Sequence, residues 1–241
     1  MNNFAVLASA TTAIATAATT MAGPLLTITA NVGGYAPVTS TSNGVATSTA
    51  GSYSYVGGVV SGFPMDWMIS WDMLGEDTSV YPTSTFVTNG FRVQNLTNSA
   101  KTFDITVALA SPAGSNLNLL CTALLGGTLT SDAPGATASL TSSGALWSGQ
   151  INGISRSTSD LMNNANLSTG ASTSFGPLTS SWTGTVTGAL STVGYRMNFT
   201  LGAKSTAVFT GYWEGVVVPT PGALATLVVA GGLANRRRRT A

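Results

Sequence analysis

Residues Val193–Leu201 read VGYRMNFTL, and the class of fold follows from how that stretch is patterned. Val193, Tyr195, Met197, Phe199 and Leu201 alternate with Gly194, Arg196, Asn198 and Thr200. A period of two puts every second side chain on the same face of a β-strand, with one face toward a core and the other toward water. The pattern recurs on the N-terminal side. Leu26, Ile28, Ala30 and Val32 alternate with Thr27, Thr29 and Asn31; Trp67, Ile69, Trp71 and Met73 with Met68, Ser70 and Asp72; Phe103, Ile105, Val107 and Leu109 with Thr102, Asp104, Thr106 and Ala108. Trp67 and Trp71 share a face with Ile69 and are expected in the core.

Turn-forming residues punctuate these segments. Asn95-Leu96-Thr97-Asn98-Ser99 and Gly202-Ala203-Lys204-Ser205 each read as a hairpin loop between paired strands, Asp132-Ala133-Pro134-Gly135 reads as a turn, and the polar segment 33–52 reads as a loop. Only Ala145–Ile154 and Asp160–Leu167 carry a trace of helical periodicity. Many short strands between such turns predict an all-β ectodomain, an antiparallel β-sandwich of jelly-roll-like form, over residues 23–215.

Composition agrees with that architecture and removes several functions. Charged residues make up 7% of the 241, against roughly 25% in an ordinary domain. Ser and Thr take their place at about a quarter of the chain, a bias that suits strands and turns over helices. All eight acidic residues lie between Asp66 and Glu214, opposed there by Arg92, Lys101, Arg156, Arg196 and Lys204. The body is therefore weakly acidic and lacks the basic footprint that nucleic-acid binding requires. The single cysteine, Cys121, has no partner for an internal disulfide and reads as a buried hydrophobe among Leu119, Leu120 and Leu124.

The chain has no histidine, which excludes Ser-His-Asp and Cys-His catalysis and histidine zinc sites. Paired carboxylates remain possible, and the candidates are Asp66, Asp72, Glu76 and Asp77. The same acids offer two other readings: a Ca²⁺ site from Asp72, Glu76 and Asp77, or solvated turn residues. Among the aromatics, Trp147, Trp182 and Tyr212 are the candidates for stacking on sugar rings, with core packing as the alternative. Sequons stand at Asn95, Asn166 and Asn198, a number close to chance in so Asn- and Thr-rich a chain.

The two ends differ from the body. Residues 1–22 are uncharged, Ala- and Thr-rich and mildly apolar, and Thr20-Met21-Ala22 fits a small-x-small cleavage site, so this segment is expected to be a signal peptide. Residues 216–241 read VVVPTPGALATLVVAGGLANRRRRTA. A Pro-x-Pro step is followed by a short apolar run, 222–235, and then by Arg236, Arg237, Arg238 and Arg239. The eight Val and Leu residues there contribute about −4 kcal/mol toward membrane insertion before Gly, Pro, Thr and Asn oppose it, which predicts a short and marginal transmembrane helix. The arginines would hold its far end in the cytoplasm.

That order resembles the PEP-CTERM sorting signal of bacterial exosortase substrates, in which a Pro-Glu-Pro motif precedes a hydrophobic helix and a basic cluster. Pro219, Thr220 and Pro221 occupy the motif here, with Thr220 where the family usually has Glu. The wording Phe91-Arg92-Val93-Gln94-Asn95 followed by Thr102-Phe103-Asp104-Ile105-Thr106 is similar to the all-β ectodomains found ahead of such tails. The resemblance implies export, anchoring in the membrane by the C-terminal helix until an exosortase-type membrane protease removes the tail, and residence at the cell surface or in extracellular matrix. The expectation is a structural or adhesive protein rather than an enzyme, with no cofactor. The alternatives are a module that binds matrix polysaccharide and a secreted glycosidase.

Overall fold

The structure, a computed structural model, describes residues 23–61, 65–78, 83–111 and 115–218. The chain weaves between two antiparallel sheets. Strands β1 (Leu25–Val32) and β2 (Val38–Asn43) form a hairpin in the first sheet. The chain then enters the second sheet with β3 (Val45–Ala46) and the meander β4 (Ser52–Val60), β5 (Trp67–Thr78) and β6 (Thr83–Asn95). β7 (Lys101–Ala110) returns to the first sheet beside β1, and β8 (Ser115–Ser131) crosses to the second. β9 (Ala138–Thr141), β10 (Ala145–Ile151), β11 (Ile154–Ser155), a 3-10 turn at Ser157–Ser159, β12 (Leu161–Asn163) and β13 (Asn166–Thr169) build one side of the first sheet. β14 (Ser172–Ala189) forms an edge of the second sheet; β15 (Thr192–Leu201) and β16 (Ser205–Val217) then fill the interior of the first and second sheets. The first sheet runs β11-β10-β15-β7-β1-β2, with β12 on β10 and the pair β13-β9 on β15; the second runs β14-β8-β16-β6-β5-β4-β3.

The four alternating segments are β1, β5, β7 and β15, and their apolar residues line one core. Trp147 of β10 stacks on Tyr195 at 5.5 Å between ring centres and meets the edge of Trp213 from the other sheet at 5.7 Å. Phe199 lies 5.2 Å from Phe209 across the same gap, and the Tyr195 hydroxyl points at Met73 Sδ, 3.6 Å away. Gly149 makes room for this contact: a Cβ there would stand 2.5 Å from the Trp213 ring. The indole N–H groups of Trp67, Trp71 and Trp213 are buried without a hydrogen-bond partner. Burying each ring gives about 4–6 kcal/mol, which exceeds the roughly 1–3 kcal/mol that an unpaired N–H costs.

The turns depart from expectation. Asn95–Ser99 does not close a hairpin, because β6 and β7 lie in opposite sheets; the loop at Gly202–Ser205 likewise carries the chain from one sheet to the other. Inward-facing apolar residues alternate identically whether the next strand lies beside the first or across the core, so periodicity cannot tell the two apart. The two arches lie side by side and are tied by Asn95, which is fully buried. Its Nδ2 donates to the carbonyls of Ser99 (2.7 Å), Leu201 (3.0 Å) and Gly202 (2.8 Å). Its Oδ1 accepts from the Thr97 N–H (3.1 Å) and hydroxyl (2.7 Å).

Three further expectations are corrected. Segment 33–52 contains β2, whose Ser and Thr side chains lie on a solvated edge and give no apolar alternation, and the two-residue β3, too short to show any. The two weakly helical stretches are β10 with β11 and β12 with β13. Val216 and Val217, grouped with the tail by their apolar run, are the last residues of β16 and pair with Leu120 and Leu119. No helix among the described residues is long and apolar enough to cross a membrane; the proposed span at 222–235 and the signal segment 1–22 lie outside the described residues.

Candidate functional site

The four candidate carboxylates sit on and beside β5, and the strand separates them. Asp66 precedes it and accepts a 2.6 Å hydrogen bond from the Tyr35 hydroxyl, which raises the Tyr35 phenol above its ordinary value. Its backbone N–H donates to Ser61 Oγ at 2.7 Å. The Tyr35 ring stands edge-on to Trp67 at 6.1 Å, and Lys101 Nζ lies 5.0 Å above it. Asp66 is thus part of a structural clamp that joins the β1–β2 turn to β5.

Asp72 and Glu76 are exposed on the outer face of the second sheet, four residues apart. Extended strand geometry separates them by about 13 Å and places Asp66 roughly 20 Å from Asp72. A glycosidase pair requires about 5–9.5 Å. These three acids do not converge on one substrate. Among the described residues no three Asp, Glu or Cys side chains come together to hold a metal; the Asp77 side chain, the third candidate ligand beside Asp72 and Glu76, lies outside the described set.

The aromatic candidates have three different fates. Trp147 is 3% exposed at the centre of the core and has no face to offer a ligand, which corrects the expectation for it. Leu146 beside it is also buried, so β10 lacks the alternation that would have revealed which way the indole points. Trp182 is half-buried on the inward side of β14, opposite Cys121, and the Arg156 guanidinium lies 4.6 Å above its ring. That cation occupies the face a sugar would use. Tyr212 is half-buried on the outer face of the second sheet, beside Leu124, and keeps an outward aspect.

Cys121 is buried as expected. Burial pushes its thiol up to about 12, with Arg156 pulling weakly the other way. Such a thiol is a packing group rather than a nucleophile. The Asn95 sequon is buried and fully hydrogen-bonded, whereas Asn166 is exposed on β13.

The structure also forms a groove that no single segment announces. Thr102, Thr141, Ser142, Ser143, Asn198, Phe199 and Thr200 line a depression of about 340 Å³ on the outer face of the first sheet, with the Phe199 ring itself turned into the core. Thr200 faces Thr102 on β7 and Thr141 on β9, and the Thr102 and Thr200 hydroxyls lie 3.2 Å apart. Its lining is neutral and rich in hydroxyls. Thr102, Asn198 and Thr200 are outward positions in the alternating pattern, but their assembly depends on strand register.

Compared with known proteins, the chain matches no protein-family model and no curated sequence.

Proposed function

We propose that this protein is an exported structural or adhesive component of a bacterial surface or extracellular matrix, released from a membrane-bound precursor by an exosortase-type protease. The observation that carries the reading is the ordered tail: Pro219-Thr220-Pro221, the apolar run 222–235 and Arg236–Arg239. A body with 7% charge and outward-facing Ser and Thr is compatible with a hydrated, sugar-rich matrix. We assign the sandwich to the jelly-roll-like class, because the chain passes from one sheet to the other at both arches and again on either side of β8 and β14. Intact-mass spectrometry of extracellular material from the native host tests the sorting step. Loss of Arg236–Arg239 is the expected result, and recovery of the full tail there rejects it.

A second reading is favoured by one observation, the hydroxyl-lined groove: a module that binds neutral polysaccharide. Its lining can exchange hydrogen bonds with sugar hydroxyls, but its aromatic residue, Phe199, is 1% exposed and offers no stacking platform, so binding would be weak. Titration calorimetry with neutral glucans, comparing the native chain with Asn198→Ala, decides it. Heats that are absent, or unchanged by the substitution, remove the reading.

A further inference from the structure

The second sheet has an open edge at β4. β3 covers β4 only at Val45–Ser54 and Ala46–Tyr53, and among the described residues no strand lies outside the stretch from Val56 to Val60. The directions of the backbone groups follow from two hydrogen bonds. Ser52 accepts from the Thr47 N–H on the outer side, whereas the Ser61 N–H donates to Trp67 on the β5 side. N–H and C=O of one strand residue point the same way and alternate along the strand. Val56, Gly58 and Val60 therefore aim their N–H and C=O groups outward, along an edge about 17 Å long.

Sheet edges are normally guarded by Lys, Pro, a bulge or a covering element. Among the described residues this edge has none of these. β4 carries no charged residue, its register with β5 is unbroken, and its solvent face shows Val56 at 73% and Val60 at 45% exposure. The opposite edge of the same sheet is different: β14 packs against the 3-10 turn, β12 and β13.

We infer that β4 is a homodimerisation edge, pairing antiparallel with β4 of a second copy about a two-fold axis through Gly58. The occupant follows from self-complementarity. In that register Gly58 faces Gly58, and Val56 faces Val60 of the second copy on the same solvent side. All three outward residues then fall in hydrogen-bonded pairs, giving about six inter-chain bonds. The exposed valines become cross-strand neighbours, and no charge is buried or opposed. Shifting the axis toward Ser54 would collide with β3, and shifting it toward Val60 would take Val56 out of the Val56–Val60 stretch's own pairing, so the axis through Gly58 is the one that pairs all three outward residues with one another. The two second sheets merge into one continuous sheet, an isologous contact that closes at two copies.

Sedimentation equilibrium of the full chain tests this. The weight-average mass should rise with concentration toward twice the monomer value. A Val56→Lys/Val60→Lys variant and a Val56→Glu/Val60→Glu variant should each remain monomeric, and their equimolar mixture should dimerise, because position 56 of one faces position 60 of the other. A native chain that stays monomeric, a dimer that survives either double substitution, or a mixture that does not associate overturns the inference. Should either variant fail to fold by circular dichroism, hydrogen exchange on the native chain decides. The amides of Val56, Gly58 and Val60 must gain protection as concentration rises, and their failure to do so rejects the edge.

Discussion

Asn95 concentrates more structure in one side chain than any apolar residue of the core. Its amide closes the β6–β7 arch on Ser99 and Thr97 and fastens it to the β15–β16 arch through Leu201 and Gly202. Replacing it with Ala removes the donor to the buried Leu201 and Gly202 carbonyls, at about 1–3 kcal/mol per group, and the hydrogen bonds that shape the Thr97–Ser99 turn. Asn95→Ala should therefore cost roughly 3 kcal/mol or more and lower Tm by about 6–12 °C in a thermal melt. Cys121 supplies a test of opposite character. The folded chain holds its thiol proton to about pH 12, whereas an unfolded thiol ionises near 9. Between those limits the unfolded state binds fewer protons, so stability falls as pH rises, by about 1.4 kcal/mol per pH unit, and below them the thiol has no effect. The difference in stability between native and Cys121→Ala from urea melts, followed from about pH 10 to about 11, should show this slope. The sequence disclosed that Cys121 is buried, because apolar neighbours surround it. It did not disclose that Trp147 is buried, because Leu146 beside it is buried too and the alternation is lost.

Strands were the most legible level. Each alternating run is a strand, since a half-buried strand needs an apolar residue at every second position. Partner choice was not legible, as the two arches show. Boundaries were blurred where composition runs on unchanged. Val216–Val218 read as the start of the tail, yet Val216 and Val217 complete β16 against Leu120 and Leu119. A chain ending at Gly215 should therefore melt lower than one ending at Val218, by about 2–6 °C, since two paired valines are worth roughly 1–2 kcal/mol. Equal melting temperatures for the two truncations would return these residues to the tail.

For the whole molecule, the scarcity of charge sets how it responds to its surroundings. Among the described residues the ion pair is Arg196–Asp104, a two-pronged contact at 2.7 Å on the outer face of the first sheet. An exposed pair contributes about 0.2–1 kcal/mol. Raising NaCl from about 0.02 M to about 0.5 M screens that contribution, so Tm should move by less than about 4 °C in differential scanning calorimetry. Stability rests on the shared aromatic core between the sheets, where Trp147, Tyr195 and Trp213 meet.

By itself the sequence determined the all-β class, the strand cores at β1, β5, β7 and β15, and the absence of histidine chemistry. These follow from local periodicity and from which residue types are present. Only the tertiary structure decided which strands pair, which aromatics keep an outward face, that Asp66, Asp72 and Glu76 stand apart, and that Thr102, Thr141 and Thr200 share a groove. Those properties depend on register between segments up to a hundred residues apart. An alternating pattern assigns each side chain a face, but it does not say which strand lies beside it or which sheet lies across from it.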